Sequence, residues 1–164
     1  MTPWECAESL ADFFKEKLKE YDEKLYVHDE AGQREESKEY NIYAGYLPYV
    51  ASRDDKKKLC PAIAVRPLEV NDTGSRSTVL IGIYVTTYDD KDMKTGCKEL
   101  YHMLEFLRMQ LLSNNPVRNK WEIVPDTMSA SIPDEQPFPQ WWGRIDMAVY
   151  IPQPRLTHKA VVAR

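Results

Sequence analysis

Apolar and polar positions near the start of the chain repeat with the period of an α-helix. Apolar side chains recur at intervals of three and four from Trp4 to Tyr21, and charged residues fill the positions between them. Before this run, Thr2 is placed to cap a helix and Glu5 to complete a capping box. The pattern predicts an amphipathic helix over residues 3–25, with its apolar side against a sheet.

The middle of the chain reads as extended segments. Asn41 to Val50 is rich in tyrosine, and Pro48 within it indicates an edge strand or a bulge for its second half. Leu59 to Val70 is also extended, and the turn signal at residues 71–75 separates it from the alternating segment Thr78 to Tyr88. We expect the last two segments to pair as a hairpin.

The period returns to that of a helix between Lys91 and Leu112, where a stripe of leucines predicts a second helix. Two further strands are predicted at Lys120 to Ser131 and Trp142 to Ile151. In the second of these strands, alternation places one set of apolar side chains inward: Ile145, Met147, Val149 and Ile151.

The order of these elements is helix, about three strands, helix, two strands. Because regular βαβ alternation is missing, the order predicts an α+β fold, with a single antiparallel or mixed β-sheet of about five strands and two helices packed on one face. We expect residues 1–152 to form one domain. Asp29 to Glu39 is predicted to be a connection, and residues 153–164 a flexible basic C-terminal tail.

The number and distribution of charged residues indicate whether the protein binds nucleic acid. The 164 residues carry 22 basic and 26 acidic side chains, a net charge of −4, and the two signs are interspersed. Specific nucleic-acid binding is therefore not expected, since it needs a clustered basic surface. The runs Asp54 to Lys58 and Asp89 to Asp92 are interpreted as solvated loops.

Membrane insertion and export are not expected either. No apolar run approaches the ~20 residues that span a bilayer, and the N-terminus carries acids where a signal peptide carries bases. The cysteines Cys6, Cys60 and Cys97 are widely spaced and odd in number, which favours reduced thiols in a cytoplasm.

Candidate catalytic motifs are weak. Glu99 and His102 form a Glu-x-x-His pair, which is half of a di-metal motif whose second copy is missing from the sequence. A solvated histidine is the favoured interpretation, and a small metal-dependent enzyme is the alternative. Glycine-rich phosphate loops are absent, and Cys97 is expected to pack rather than to act as a nucleophile. We therefore expect no catalytic residue, no cofactor and no metal.

A proline-rich loop at residues 132–143 carries an unusual aromatic load. Phe138, Trp141 and Trp142 stand next to two prolines, and stiff aromatic segments of this kind act as interface anchors. The alternative is a plug that closes one end of the core. We favour the core for Trp142 and an interface for Phe138 and Trp141.

Residues 78–152 resemble bacteriophage tail terminator and tail completion proteins of prophages in Gram-positive bacteria. The resemblance rests on a strand that ends in Tyr88-Asp89, a helix led by Gly96, the stretch Pro133 to Pro139, and an aromatic-Gly strand that ends in Ile151-Pro152. Cys97 departs from the aromatic residue that often follows the leading glycine in that family.

The resemblance implies a structural protein and not an enzyme. Its subunits would form a homo-oligomeric ring, a hexamer in that family, that caps the tail tube and provides the head-attachment surface. The implied partners are other copies of the chain, the tail tube protein and the head–tail connector protein, met in the host bacterial cytoplasm during assembly and then in the virion. A neck or head-completion connector protein is the alternative.

A ring needs two different contact surfaces on each subunit. The sequence predicts one surface at the turn after the second extended segment together with the tyrosine-rich edge strand, and the other at the aromatic loop. The candidate residues of the first surface are Tyr43, Tyr46, Tyr49, Asn71, Asp72, Thr73 and Gly74; those of the second are Phe138 and Trp141.

Overall fold

A computed structural model of the chain describes residues 1–24 and 39–154. All of the predicted connection at residues 29–39 except Glu39, and most of the predicted C-terminal tail, lie outside the described residues. Three helices are present in the described part: α1 (Pro3–Lys24), α2 (Arg53–Leu59) and α3 (Lys98–Ser113). The capping box forms, since the Glu5 amide donates to Thr2 Oγ1 at 3.2 Å and the Thr2 amide donates to Glu5 Oε2 at 2.6 Å.

Five strands form one mixed sheet in the order β1-β2-β3-β5-β4. Their bounds are β1 (Asn41–Ala44), β2 (Ala62–Asp72), β3 (Ser77–Tyr88), β4 (Ser129–Ser131) and β5 (Gln140–Ile151). β1 runs parallel to β2, and every other pair is antiparallel. The predicted hairpin of β2 and β3 is confirmed, with a bulge between Pro67 and Glu69.

Helices α1 and α3 cover the same face of this sheet. α1 packs on β1 and β2, α3 packs on β3 and β5, and one hydrophobic cluster joins them. β3 and β5 contribute their odd-numbered apolar residues to the cluster, and Ile145, Met147 and Val149 are fully buried as predicted. The predicted α+β fold with a five-stranded sheet and two helices on one face is therefore confirmed. We call this side the helix face and the other side the open face.

Helix α2 was not predicted from the sequence, because its charges suggested a solvated loop. Ser52 caps it by accepting a hydrogen bond from the Asp55 amide at 3.1 Å. Arg53 donates to the Tyr88 hydroxyl at 2.9 Å, and Tyr88 belongs to the open face. α2 therefore covers one end of the open face and leaves the rest of that face to other neighbours or to solvent.

Two predicted strands are shorter in the structure. Strand β1 ends at Ala44, because Gly45 takes a positive φ of 99° and packs beside Trp4. The strand predicted at residues 120–131 is wrong except for β4, since Pro125 lacks an amide hydrogen and Asp126 has a φ of 61°. The intervening chain still follows β5 through single contacts, such as the Val124 amide donating to the Ala148 carbonyl at 2.9 Å.

The second predicted helix starts later than its periodicity suggested. Asp92 accepts hydrogen bonds from the Lys94 amide at 2.8 Å and from Thr95 Oγ1 at 2.9 Å, so a turn occupies the residues before α3. In the described parts of the chain, no helix combines the length and the hydrophobicity needed to cross a membrane.

Candidate interaction surfaces

The proline-rich loop is held by its own side chains and backbone. Gln136 donates to the carbonyls of Pro133 at 2.7 Å and Trp142 at 3.0 Å, and its Oε1 accepts from the Trp142 amide at 2.7 Å. The Phe138 amide donates to the Gln136 carbonyl at 2.9 Å. These bonds fix the path of the loop against the start of β5, so its exposed side chains are presented on a defined backbone.

Phe138 and Trp141 occupy different environments. Phe138 is 37% exposed, whereas Trp141 is only 7% exposed and lies on the helix face. The rings pack edge to face with centroids 6.0 Å apart, and Trp141 Nε1 donates to the Asp89 carbonyl at 3.3 Å. Phe138 therefore keeps the exposure that an interface anchor needs. The assignment of Trp141 to an interface is wrong, because this side chain closes one end of the core.

Trp142 has the opposite position to the one expected. It pairs with Thr86 in register and faces the open side of the sheet, where it is half-buried. Trp142 follows the alternation of β5, in which the even-numbered residues face the open side. Because the strand starts at Gln140, two residues before the predicted start, the same alternation extends to Trp141 and places it inward. Its place at the opening of the predicted strand had favoured the core for Trp142.

The tyrosine-rich segment lies at an edge of the sheet. Tyr46 is 78% exposed, Tyr49 is exposed, and Tyr43 is half-buried within β1. Since β1 pairs with only the first four residues of β2, the rest of β2 has no strand beside it on that side among the described residues. Leu68 and Val70 are exposed there, although no sequence signal marked them. This edge is open to a further strand or side-chain contact.

The turn at the end of β2 is fully exposed and internally bonded. Thr73 Oγ1 donates to the Arg76 carbonyl at 2.9 Å and accepts from the Arg76 amide at 3.1 Å. Asp72 accepts from the Ser77 hydroxyl, and Asn71 and Gly74 are exposed. The turn lies at the far end of β2 from Tyr46. The predicted residues of the first surface thus lie in β1, in the segment after it, and at the far end of β2 with its turn, and they do not form one cluster.

An arginine that no sequence motif singled out lies beside Tyr46 on the open face. The guanidinium carbon of Arg66 is 3.6 Å from the ring centroid of Tyr84 and 4.5 Å from that of Tyr46. Its register partner is Gly82, where a Cβ would come within 2.9 Å of both Leu68 and Tyr84. We call this group, Arg66 with Tyr46, Tyr84 and Leu68, the arginine clamp.

The Glu-x-x-His pair lies on α3. His102 is exposed and Glu99 is half-buried, and the described residues hold no group of three or more histidine, cysteine or acidic side chains able to bind a metal. His102 borders a cleft of about 540 Å³ between α3 and β4 that also includes Tyr101, Leu104, Glu105, Arg108, Ala130 and Ile132. Among the residues that line this cleft, Glu105 is the only acidic side chain.

The cysteines are buried or partly buried. Burial raises the pKa of the Cys6 thiol to about 12, and burial is also the main cause of the raised pKa of Cys60. Cys97 packs against the core at the start of α3, as predicted. A raised pKa keeps a thiol protonated at neutral pH, whereas the reactive form is the thiolate.

Comparison of the chain with known protein families and with curated proteins finds no match. The geometry of these surfaces is therefore the basis on which a function is proposed.

Proposed function

We propose that the chain is the subunit of a ring that caps the tube of a bacteriophage tail, a tail terminator. The observation that carries the proposal is the presence of two different exposed surfaces on one subunit. One is the braced loop with Phe138, and the other is the edge of β2 with Tyr46, Leu68 and Val70. Contacts between unlike surfaces build rings when the rotation closes.

The sequence resemblance supports the same function. The segment that resembles tail terminators comprises β3, α3, the proline-rich loop and β5, and these elements include the centre of the sheet and the exposed Phe138. In the proposed role, one end of the ring meets the tail tube protein and the other presents a surface to the head–tail connector protein. The chain acts as a structural component and performs no reaction.

Electron microscopy of the purified protein, alone and mixed with tail tubes, tests this function. We expect rings in the protein alone and rings at tube ends in the mixture, with tubes that stop lengthening. Tubes that continue to grow in the presence of the protein would contradict the proposal. Co-purification with portal complexes in the absence of tube protein would instead favour a neck connector.

A further inference from the structure

Arg66 differs from the other arginines in the described part of the chain, because it alone has no oxygen partner there. Each of the other five is bonded: Arg53 to Tyr88, Arg76 to Tyr150, Arg108 to Glu105, Arg118 to Glu16 and Arg144 to Asp146. Arg66 Nε is buried without any hydrogen-bond acceptor within residues 1–24 and 39–154. A buried donor left unpaired destabilises the folded state, so this side chain is unfavourable for the subunit unless it has a further role.

The surroundings of Arg66 fix its orientation. Tyr84 and Tyr46 lie 3.6 Å and 4.5 Å from the guanidinium carbon, and Gly82 leaves the room in which Tyr84 and Leu68 pack. A guanidinium held by aromatic rings can still present the N–H donors of its two terminal nitrogens, and these match a carboxylate in a bidentate arrangement. Tyr46 and Leu68 are exposed around it at 78% and 43%. Arginine and tyrosine beside apolar area form the composition of an interface hot spot.

The proline-rich loop carries two carboxylates that suit this site. Asp134 and Glu135 are both exposed, and neither makes a hydrogen bond or ion pair with the described residues. They stand in the part of the loop that Gln136 holds to the Pro133 and Trp142 carbonyls. A carboxylate on a fixed loop loses little conformational freedom when it binds.

The clamp and the loop lie apart within one subunit. Arg66 pairs with Gly82, whereas the loop is bonded to Trp142, which pairs with Thr86. Four residues along a strand correspond to about 13 Å, and two steps between strands add about 10 Å across the sheet. The unpaired cation and the unpaired anions therefore have different locations on the same molecule, and a second copy can bring them together.

We propose that the arginine clamp of one subunit binds Asp134 and Glu135 of a neighbouring copy, with Phe138 packing beside Tyr46 and Leu68. The proposal deepens the ring assigned above and rests on its being built from copies of this chain. In this contact, the loop surface consists of Phe138 with the acidic pair Asp134 and Glu135, and the buried Trp141 is no longer part of it. A protein carboxylate fits better than a nucleic-acid phosphate, because Arg144, the other arginine within the strands of the open face, already pairs with Asp146 at 2.8 Å.

Sedimentation equilibrium of the purified protein tests the contact. We expect the wild-type chain to self-associate, and Arg66→Glu to raise the dissociation constant at least about 30-fold, which corresponds to about 2 kcal/mol. The loop variant Asp134→Arg with Glu135→Arg should show the same loss. Arg66→Lys should be intermediate, since lysine keeps the charge without the fork. Arg108→Glu on α3, with the same change of charge, should associate like the wild type.

Mixing the two defective proteins separates a lost contact from a damaged fold. In the mixture, the unchanged loop of the Arg66→Glu protein can bind the unchanged Arg66 of the loop variant. The opposite junction pairs the glutamate introduced at position 66 with the arginines introduced in the loop, and these charges also attract. We therefore expect association to return. A mixture that stays dissociated, a wild-type protein that is monomeric at all concentrations, or an Arg66→Glu variant that assembles normally would each overturn the proposal.

Two further results identify the occupant of the clamp and the role of the contact. Loss of binding to a labelled DNA duplex in Arg66→Glu, with self-association intact, would identify a phosphate as the occupant and overturn the proposal. If self-association depends on Arg66 but the protein does not cap tail tubes, the contact between copies is supported and the tail-terminator function is contradicted.

Discussion

Trp141 and Trp142 are neighbours in sequence and lie on opposite faces of β5. Trp141 fills the end of the core next to Gly96, where an added Cβ would come within 2.9 Å of its indole nitrogen. Trp142 lies half-buried on the open face. For a single residue, the face of the strand decides whether an aromatic ring stabilises the subunit or is available to a neighbour.

Truncation of the two loop aromatics should separate these roles. We expect Trp141→Ala to lower the free energy of unfolding by about 3–5 kcal/mol, as loss of a buried tryptophan does. Phe138→Ala should lower it by about 1 kcal/mol or less, because its ring is partly exposed. Urea denaturation of the monomeric form measures both. Equal losses in the two variants would show that Phe138 also belongs to the core.

The buried Cys6 thiol should make stability depend on pH in alkaline solution. Its pKa is about 12 in the folded chain against a usual value of 9.0, so the unfolded chain loses this proton first. The contribution is fully present below pH 9 and is lost as the pH rises toward 12, at about 1.4 kcal/mol per pH unit. The stability gap between wild type and Cys6→Ala should therefore narrow above pH 9. Parallel curves from urea denaturation would contradict this.

Helix α2 shows how a local signal and a tertiary contact act together in one element. Its first turn carries Asp54 and Asp55 and its last turn three lysines, an arrangement that suits the helix dipole. Seven residues are too few for a stable isolated helix, so the cap at Ser52 and the bond from Arg53 to Tyr88 matter to its position. Ser52 followed three residues later by Asp55 was the signal that could have revealed the helix.

Removal of the cap should destabilise α2 and the end of the open face that it covers. We expect Ser52→Ala to cost about 1 kcal/mol, because the Asp55 amide loses its acceptor. Ser75→Ala, in the exposed turn after β2, is a matched control and should change stability by less than about 0.5 kcal/mol. Urea midpoints measure both variants, and an unchanged midpoint for Ser52→Ala would mean that the cap contributes nothing.

The whole molecule is a one-sided sheet with different exposed surfaces at its edge and in its loop. The helix face is filled by α1 and α3, while only one end of the open face is covered by α2. Self-association through unlike surfaces would place the sheets of successive subunits in the same orientation around an axis. In the proposed assembly, stability of the subunit and formation of the ring would depend on different sets of side chains.

Assembly should respond to Phe138 more than to an equally large ring elsewhere. We expect Phe138→Ala to weaken self-association about 30-fold, as loss of a central aromatic anchor does. Tyr101→Ala on α3 removes an exposed ring outside both proposed surfaces and should leave association unchanged. Native mass spectrometry reports the species present, and a wild-type-like distribution in Phe138→Ala would exclude the loop from the subunit contact.

Local patterns along the chain were enough to define several elements before any packing was known. α1, the β2–β3 hairpin and the inward residues of β5 follow from periods and capping residues that each segment carries within itself. The fold class followed from the order of these elements. Of the aromatic residues predicted for the two surfaces, Tyr46, Tyr49 and Phe138 are exposed, whereas Tyr43 is half-buried and Trp141 is buried.

Features that depend on partners distant in sequence became visible only in the packed molecule. The arginine clamp forms only when Tyr46, Gly82 and Tyr84 meet Arg66, and these residues belong to three different segments: the segment after β1, strand β2, and strand β3. The sequence of any one segment does not predict the clamp. The burial of Trp141 likewise depends on the residue at which β5 begins to pair with β3. Periodicity identifies a face, but pairing register and the neighbours it brings determine what that face contacts.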